Sequence, residues 1–360
     1  MALSKIQTSE MLDAPNLGRR NLIINGAMNV AQRGTSFSPP SDGGYVVDRF
    51  HQYQGGGGVF YYEQSTDAPL GFSNSLKITV NTADSSITSG NYYYMRYEAE
   101  GLDCSRLSLG TSDAQKFTLS FYVKSSLTGT FSGAFQNAAT NRSYVFEYTI
   151  NSANTWERKT VTVDGDTSGT WLTNNSVGLR VAFDLGNGSS LRSSAGSWAS
   201  SGNYGSTGSV ELVGTASATL YITGVQLEVG DTATDFEHRS YGEELSLCHR
   251  YFEKFDYANT QFVDSIGYSN GSSTASCMIN YSTKRAAPTI TLPPAGTSGG
   301  ALAFLTGGGG YPSSIGTFTI QLPSTTAARI YGSSFGGYTI GQASALFASG
   351  SCSITIDAEL

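Results

Sequence analysis

Short segments in which apolar and polar residues alternate run through most of the chain. The clearest are Ser75–Val80 (SLKITV), Phe117–Lys124 (FTLSFYVK) and Val177–Asp184 (VGLRVAFD), in which large apolar residues recur at alternate positions. A period of two with one apolar face predicts a half-buried strand of an antiparallel sheet. Clusters of Gly, Ser and Asn separate these segments, which is the pattern of a β-sandwich or barrel.

One segment departs from this alternation. Residues 240–255 read SYGEELSLCHRYFEKF. Ser240 with Glu243 three residues later is the signature of a capping box at the start of a helix. Four residues then share one helical face at i, i+4, i+7 and i+11: Tyr241, Leu245, Cys248 and Phe252. We therefore expect a helix of about three to four turns between two stretches of β structure.

This helix divides the chain into parts. With 360 residues the chain is long enough for two or three domains of ordinary size. We expect a polar N-terminal segment over 1–20, a β domain over 21–235, a helical connector over 236–255 and a smaller, sandwich-like β domain over 256–360. The predicted fold class is all-β.

Composition narrows the range of functions. Ser, Thr and Gly make up 50, 37 and 43 of the 360 residues, and charged residues only 14%. Strong helix formers are scarce, which argues against a mainly helical protein. The net charge of −7 argues against a nucleic-acid binder that neutralises phosphates. We find no apolar run of transmembrane or signal-peptide length, so we expect neither membrane insertion nor a signal peptide.

The residue patterns do not indicate catalysis. Cys248 and His249 are adjacent, and neighbours on a helix point about 100° apart, so they do not form a nucleophile and base pair. Glu243 and Glu244 are also adjacent and cannot flank a sugar from two sides. The run Gly307–Gly310 lacks the Lys-Ser/Thr of a phosphate loop. We predict a protein that is not an enzyme and has no cofactor.

We also predict no metal site. The cysteines are too far apart for zinc pairs, and we interpret them as small buried residues, with a Cys277–Cys352 disulfide as the alternative. Asp164 and Asp166, separated by one glycine, form a compact acidic pair that could in principle hold a metal ion. We interpret this pair as an ordinary turn.

Binding is a better-supported function than catalysis. Strand alternation turns Tyr94, Arg96, Tyr122 and Arg180 away from the core, and we expect them to share one sheet face. Aromatic faces and planar polar groups of this kind recognise sugars. The alternatives are a solvated face or a face buried against another subunit. Trp198 lies in a Gly/Ser-rich loop, where a large ring either anchors the loop or contacts a partner.

The order of the strand segments resembles that of the jelly-roll carbohydrate-binding modules of families 4, 9 and 22. This resemblance implies a jelly-roll β-sandwich over 21–235. Many such jelly rolls carry an Asp in the closing strand beside a structural calcium ion, whereas this chain has Thr223 and Gly224 there. The segments that carry the resemblance are NLIINGAM (21–28), SLKI (75–78), the Tyr-rich stretch 92–97, FTLSFYVKS (117–125), TWERKTVTV (155–163) and LYITGVQLEVGD (220–231).

The whole chain resembles a set of phage tail-fibre and related virion proteins. The specific segments are FEHRSYGEELSLCHRYF (236–252) and the terminal DAEL (357–360). The resemblance implies a homotrimeric virion appendage, with residues 1–20 docked on other virion proteins and the β domains directed at a host-surface glycan. The alternatives are a head, neck or baseplate part without a receptor role, a cellular carbohydrate-binding protein, and a depolymerising tailspike enzyme.

Overall fold

The computed structural model describes residues 19–258, 261–296, 300–306 and 316–360. Nearly all of the predicted docking segment 1–20, and the glycine run 307–310, lie outside these residues. The all-β prediction is confirmed. The strands are β1 Ser36–Phe37, β2 Phe50–Gly55, β3 Val59–Ser65, β4 Ser75–Thr82, β5 Tyr92–Glu100, β6 Phe117–Ser125, β7 Gly129–Gln136, β8 Ser143–Ile150, β9 Glu157–Val163, β10 Val177–Asp184, β11 Arg192–Ser193, β12 Trp198–Ala199, β13 Gly205–Ser206, β14 Thr219–Val229, β15 Phe252–Tyr257, β16 Phe262–Gly271, β17 Thr274–Asn280, β18 Thr289–Thr291, β19 Leu302–Thr306, β20 Thr317–Gln321, β21 Ala327–Ser333, β22 Ala343–Ala348 and β23 Cys352–Asp357.

Within the described residues, helices are few and short. The α-helices are α1 Gly101–Cys104 and α2 Tyr241–His249, and 3-10 turns occupy Ser105–Leu107, Ser189–Leu191 and Leu212–Gly214. The chain forms two compact units, unit 1 through Glu244 together with Leu360, and unit 2 from Leu245 to Glu359.

Unit 1 is a jelly-roll sandwich of two six-stranded antiparallel sheets. Sheet A has the order β1-β3-β4-β14-β6-β9, and sheet B has the order β12-β8-β7-β10-β5-β2. Their inner faces contribute to one hydrophobic core. The side chains that the alternation directed inward are buried there: Leu76, Ile78, Val80, Phe117, Leu119, Phe121, Val123, Leu179, Val181 and Phe183. The period-two pattern therefore identified the core face of these strands, except at Val177, which was also predicted to face inward but is half-buried beside a register shift at the start of β10.

Unit 2 is built from two smaller sheets. One has the order β15-β23-β18 and the other β19-β22-β16-β17-β21-β20. Both contribute side chains to a second hydrophobic core, including Ile354 and Ile356 from the first sheet and Phe304 and Leu346 from the second.

The predicted helix is present but shorter than expected. It begins as the capping signature indicates, because the Glu243 backbone N–H donates to Ser240 Oγ at 3.3 Å. It ends at His249, and Phe252 is the first residue of strand β15, which pairs with Asp357 of β23. The prediction of helix over 250–255 was wrong. Aromatic residues favour strands, and pairing with β23 satisfies their backbone groups.

The buried face of α2 also differs from the prediction. Tyr241 is 59% exposed and Leu245 is half-buried, whereas Glu244 and Cys248 are buried. The Glu244 carboxylate accepts the backbone N–H of Asn25 at 2.5 Å. The charged Glu244 is therefore buried, while Tyr241 of the expected apolar face is exposed.

Two of the segments that carry the resemblances, 21–28 and the first part of 236–252, contact each other within unit 1. The Glu237 carboxylate accepts the backbone N–H of Asn21 at 2.8 Å. Arg239 donates to the carbonyl of Asn21 at 2.7 Å and lies 3.3 Å from the Glu244 carboxylate. A hydrogen-bond network of Asn21, Glu237, Arg239 and Glu244 therefore joins these segments.

The closing strand β14 contains an irregularity where the family resemblance places an acidic residue. Its register with β6 shifts between Thr223 and Gln226. Gly224 has φ +61°, and a Cβ there would lie 2.7 Å from the Phe72 ring. Phe72 in turn packs against Tyr122, with ring centroids 5.3 Å apart. Aromatic side chains therefore occupy the space beside this bulge.

Candidate functional site

The outer face of sheet B brings three of the predicted binding residues together. Strand pairing places Arg180 opposite Glu98, and in β5 Arg96 and Tyr94 follow at alternate positions on the same face. The adjoining β2 places Tyr53 opposite Tyr94. The expectation that Tyr94, Arg96 and Arg180 share a face therefore matches the strand register.

Tyr122 does not lie on that face. It belongs to β6 in sheet A, where it pairs with Thr223 and Arg158. The expectation that it joins Tyr94 and Arg180 was wrong. Alternation tells inward from outward positions, but it does not tell which of two sheets a strand joins.

Trp198 anchors its loop. It pairs with Tyr144 at the edge of sheet B, and its ring packs edge-on against both Tyr144 and Trp171, with centroids 5.4 Å away in each case. Its indole N–H donates to the Asp164 carbonyl at 2.7 Å. Of the two roles that the sequence left open for this ring, the structure shows loop anchoring.

Three tyrosine rings stack on the outer face of sheet B. The ring of Tyr94 lies between those of Tyr53 and Tyr204, with centroids 4.9 and 4.2 Å away and interplanar angles of 23° and 18°. Tyr92 adjoins the group, 6.3 Å from Tyr94. We call these four residues the tyrosine stack. Tyr94 itself is only 5% exposed, whereas the other three are half-buried and present ring surface to solvent.

A buried charged network supports the tyrosine stack. Arg96 lies over the ring of Tyr53, 4.3 Å from its centroid, and donates to the Tyr53 hydroxyl at 2.6 Å. Glu98 lies 3.1 Å from Arg96 and accepts from Arg180 at 2.6 Å. Arg96 is 6% exposed and Glu98 is 2% exposed. Arg96, predicted to contact a ligand, is thus placed to hold Tyr53 instead.

His51 lies in the same network and is uncharged. Its Nε2 is 3.8 Å from Glu98 and 3.4 Å from Arg96 Nε. Burial and the Arg96 charge lower the pKa of His51 well below its usual value. Burial also raises the pKa of Tyr94. Burial therefore favours the neutral forms of both His51 and Tyr94.

The loop that carries Tyr204 is tied to the sheet by Asp184. Oδ1 of Asp184 accepts the backbone N–H groups of Gly186 and Asn187, both at 2.8 Å. Oδ2 accepts the hydroxyls of Ser132 and Ser209, both at 3.0 Å. These bonds bring the loop from 186 to 210 back over the outer face. The tyrosine stack is therefore built from two neighbouring strands, β2 and β5, and a loop that is held in place.

Tyr53 and Tyr204 were not among the predicted binding residues. Tyr53 lies in FHQYQ (50–54), where alternation places it on the opposite face of the strand from the apolar Phe50. Tyr204 lies in SGNYGS, a single large ring in a Gly/Ser-rich loop, which is the same signal that drew attention to Trp198. Neither pattern reveals that the two rings flank Tyr94.

Within the described ranges, no group of three His, Cys, Asp or Glu side chains could hold a metal ion. Asp166 of the acidic turn is paired with Arg142, whose Nε and Nη2 lie 2.7 and 2.6 Å from its two oxygens. None of the four cysteines, all of which are described, forms a disulfide. In the part of the chain that the structure describes, no helix is long and apolar enough to cross a membrane.

Comparisons with known proteins give similarities only among solved structures. No protein-family model and no curated protein matches the chain. The enzymatically active domain of tailspike protein 4 of bacteriophage CBA120 is similar at 13% identity and a TM-score of 0.30, over 59% of this chain and 22% of that one. The match therefore spans less than a quarter of the tailspike chain.

Two further solved structures are similar to this chain, and the match extends over almost the whole of each of them. A putative sugar-binding protein from Bacteroides thetaiotaomicron has 12% identity and a TM-score of 0.32, over 58% of this chain and 100% of that one. The family 11 carbohydrate-binding module from Clostridium thermocellum, solved with a mixed-linked tetrasaccharide, has 11% identity and a TM-score of 0.28, over 57% of this chain and 99% of that one.

Proposed function

We propose that this chain is a phage virion appendage protein whose jelly-roll unit binds a host-surface glycan through the tyrosine stack. The observation that carries the binding proposal is the stacking of Tyr53, Tyr94 and Tyr204, with the outer two rings half-exposed. The resemblance of residues 236–252 to phage fibre proteins supports the virion role.

The chemistry of the tyrosine stack suits a sugar. An exposed ring edge or face covers the apolar C–H patch of a pyranose, and the tyrosine hydroxyl can donate to or accept from a sugar hydroxyl. Because Arg96 and Asp184 hold Tyr53 and the Tyr204 loop in place, little conformational entropy is lost when a ligand binds.

A printed glycan array probed with the whole chain tests the binding proposal. We expect Tyr204→Ala and Tyr53→Ala to lower the signal of bound glycans by roughly tenfold each, as for a ring at a binding hot spot. The matched control is Tyr268→Ala, which removes a 54% exposed tyrosine from unit 2 and should leave the signal unchanged. Undiminished binding by both stack variants would overturn the proposal.

The virion role is tested by locating the protein in images of the particle. A distal position on a tail or other appendage supports attachment. A position packed against shell, neck or baseplate proteins would instead favour a structural part without a receptor role.

We further propose that the protein does not cleave the glycan it binds. Two carboxylates adjoin the tyrosine stack: Asp42 accepts the Tyr92 hydroxyl at 2.9 Å, and Glu98 is buried and held by Arg96 and Arg180. Glu98 is therefore poorly placed to act as a general acid or nucleophile. Release of reducing ends from a host polysaccharide by the wild-type chain would contradict this proposal.

A further inference from the structure

The outer face of sheet A carries a second group of aromatic and charged side chains, on the opposite side of the sandwich from the tyrosine stack. Strand pairing places Glu63 opposite Lys77, Lys77 opposite Tyr221, and Tyr221 opposite Lys124. Trp156 immediately precedes β9, the next strand of the sheet. We call these five residues the sheet A row. It crosses five neighbouring strands and so spans about 19 Å at the usual strand spacing of about 4.8 Å.

The rings and ammonium groups of the row are in contact. The centroids of Trp156 and Tyr221 are 6.1 Å apart, with the rings at 72° to each other. The Lys124 ammonium lies 4.3 Å from the Tyr221 centroid and 5.3 Å from the Trp156 ring. Both rings are half-buried, so each keeps surface for a ligand.

Acidic side chains fix the positions of these groups. Asp67, from the loop after β3, forms an ion pair with Lys124 and accepts the Trp156 indole N–H at 3.1 Å. Lys77 and Glu63 form a second pair at 2.6 Å. The hydrogen bond from Lys124 lowers the pKa of Asp67, so the carboxylate stays an acceptor. The carboxyl side chains of Asp67 and Glu63 remain 48% and 44% exposed.

The charges define the kind of ligand that fits. The carboxylates of Glu63 and Asp67 balance the two ammonium groups of the row, so the row together with Asp67 offers no net charge to attract a phosphate, a sulfate or a strongly charged peptide. It does offer exposed acceptors and half-exposed rings side by side. Each hydroxyl of a sugar both donates and accepts, and its C–H face covers a ring. A neutral pyranose chain complements every group in the row.

We infer that the sheet A row is a second carbohydrate site, which takes a neutral oligosaccharide laid across the strands over Tyr221 and Trp156. For its ligand class this inference rests on the proposed function of the tyrosine stack, but its residues are independent of it. With sites on the outer faces of both sheets, one chain can engage two glycan segments. Such bivalence raises the avidity for a dense glycan surface.

A glycan array tests the inference with the whole chain. The array carries neutral hexose and hexosamine oligosaccharides together with sulfated and sialylated ones. We expect Trp156→Ala to lower the signal of a subset of the neutral glycans by roughly tenfold. Tyr221→Leu, which keeps an apolar side chain on β14, should act on the same subset, and Tyr268→Ala serves as the control.

The outcomes separate the two sites. If some glycan signals fall in the Trp156→Ala chain and stay unchanged in the Tyr204→Ala chain, that result supports the sheet A row as a site, whether or not the tyrosine stack binds. If Tyr204→Ala abolishes binding while Trp156→Ala and Tyr221→Leu change nothing, the row is not a site and the proposed function stands. A wild-type chain that binds no glycan overturns both. If only sulfated or sialylated glycans give signals, the proposal that the row binds neutral sugars is wrong. The same proposal is wrong if a second copy of the chain covers the row.

Discussion

At the scale of single residues, Asp184 connects the core of unit 1 to the loop that bears Tyr204. It is 1% exposed, and its carboxylate accepts three hydrogen bonds at Oδ1, from Gly186 and Asn187, and two at Oδ2, from Ser132 and Ser209. Removal of a buried acceptor leaves its donors unsatisfied, which is a costly kind of substitution.

We predict that Asp184→Ala lowers the free energy of unfolding by about 3 kcal/mol or more. Denaturant titration measures this change. The control is Asp164→Ala, because the Asp164 side chain is 79% exposed. We expect this control to change the free energy of unfolding by less than about 1 kcal/mol. An Asp184 variant as stable as this control would show that the loop does not depend on the carboxylate.

Gly224 and Gly242 give a matched pair of substitutions with opposite expected signs. A Cβ at Gly224 meets the Phe72 ring at 2.7 Å with φ +61°, whereas nothing lies within 4 Å of one at Gly242 on helix α2. We predict that Gly224→Ala destabilises by about 1–3 kcal/mol. Gly242→Ala should stabilise by about 0.5–1 kcal/mol. A Gly224→Ala chain that melts at or above the wild-type temperature would contradict the account of the β14 bulge.

The candidate site could be predicted in part at this scale. Alternation in β5 and β10 placed Tyr94, Arg96 and Arg180 outward, and they do share a face. It could not show that Arg96 and Tyr94 would be buried there. Their burial comes from a loop and a neighbouring strand whose positions depend on contacts distant in the sequence. The same reason explains why Tyr122 was assigned to the wrong face.

At the scale of secondary-structure elements, the segment after β14 is held to the start of the jelly roll by Glu237. Its carboxylate accepts the backbone N–H of Asn21 at 2.8 Å and pairs with Arg239 at 3.1 Å. Burial raises the pKa of Glu237, but the hydrogen bond from Asn21 and the Arg239 charge outweigh burial and hold the pKa below its ordinary 4.5.

This direction gives a pH dependence. A carboxyl with a lowered folded-state pKa contributes stability that is present above the unfolded value of 4.5 and is lost as the pH falls through the folded value. We predict that Glu237→Gln destabilises the protein at pH 7 and that the difference from wild type shrinks below pH 4.5. Unfolding curves at several pH values measure it. A difference that grows on acidification would contradict the assigned role.

The helix α2 shows where local patterns stop being informative. Its start was predictable because the Ser240 cap is local. Its end was not, because Phe252 fits both a helical repeat and a strand, and the choice depends on pairing with β23 at the other end of unit 2. A periodic pattern of single residues contains no information about such a distant partner.

At the scale of the whole molecule, the small polar composition and the fibre resemblance lead us to predict a homotrimer. Light scattering should give three times the chain mass of 38.0 kDa. A monomer mass at micromolar concentration would contradict the prediction, because a fibre assembled from such short strands gains its stability by burying subunit interfaces.

The two proposed binding surfaces lie on the outer faces of opposite sheets of unit 1. The tyrosine stack belongs to sheet B, and Tyr221 with Lys124 belongs to sheet A. In an oligomer these surfaces would be repeated in every copy. Weak contacts of individual rings could then add to strong adhesion on a dense glycan layer.

Titration calorimetry of the whole chain with the strongest glycan found on the array tests the central claim most directly. We predict heat of binding for the wild-type chain and at least roughly tenfold weaker affinity for Tyr204→Ala, with Tyr268→Ala unchanged. Equal affinity for the wild-type and Tyr204→Ala chains, both folded, would show that the tyrosine stack does not bind the glycan.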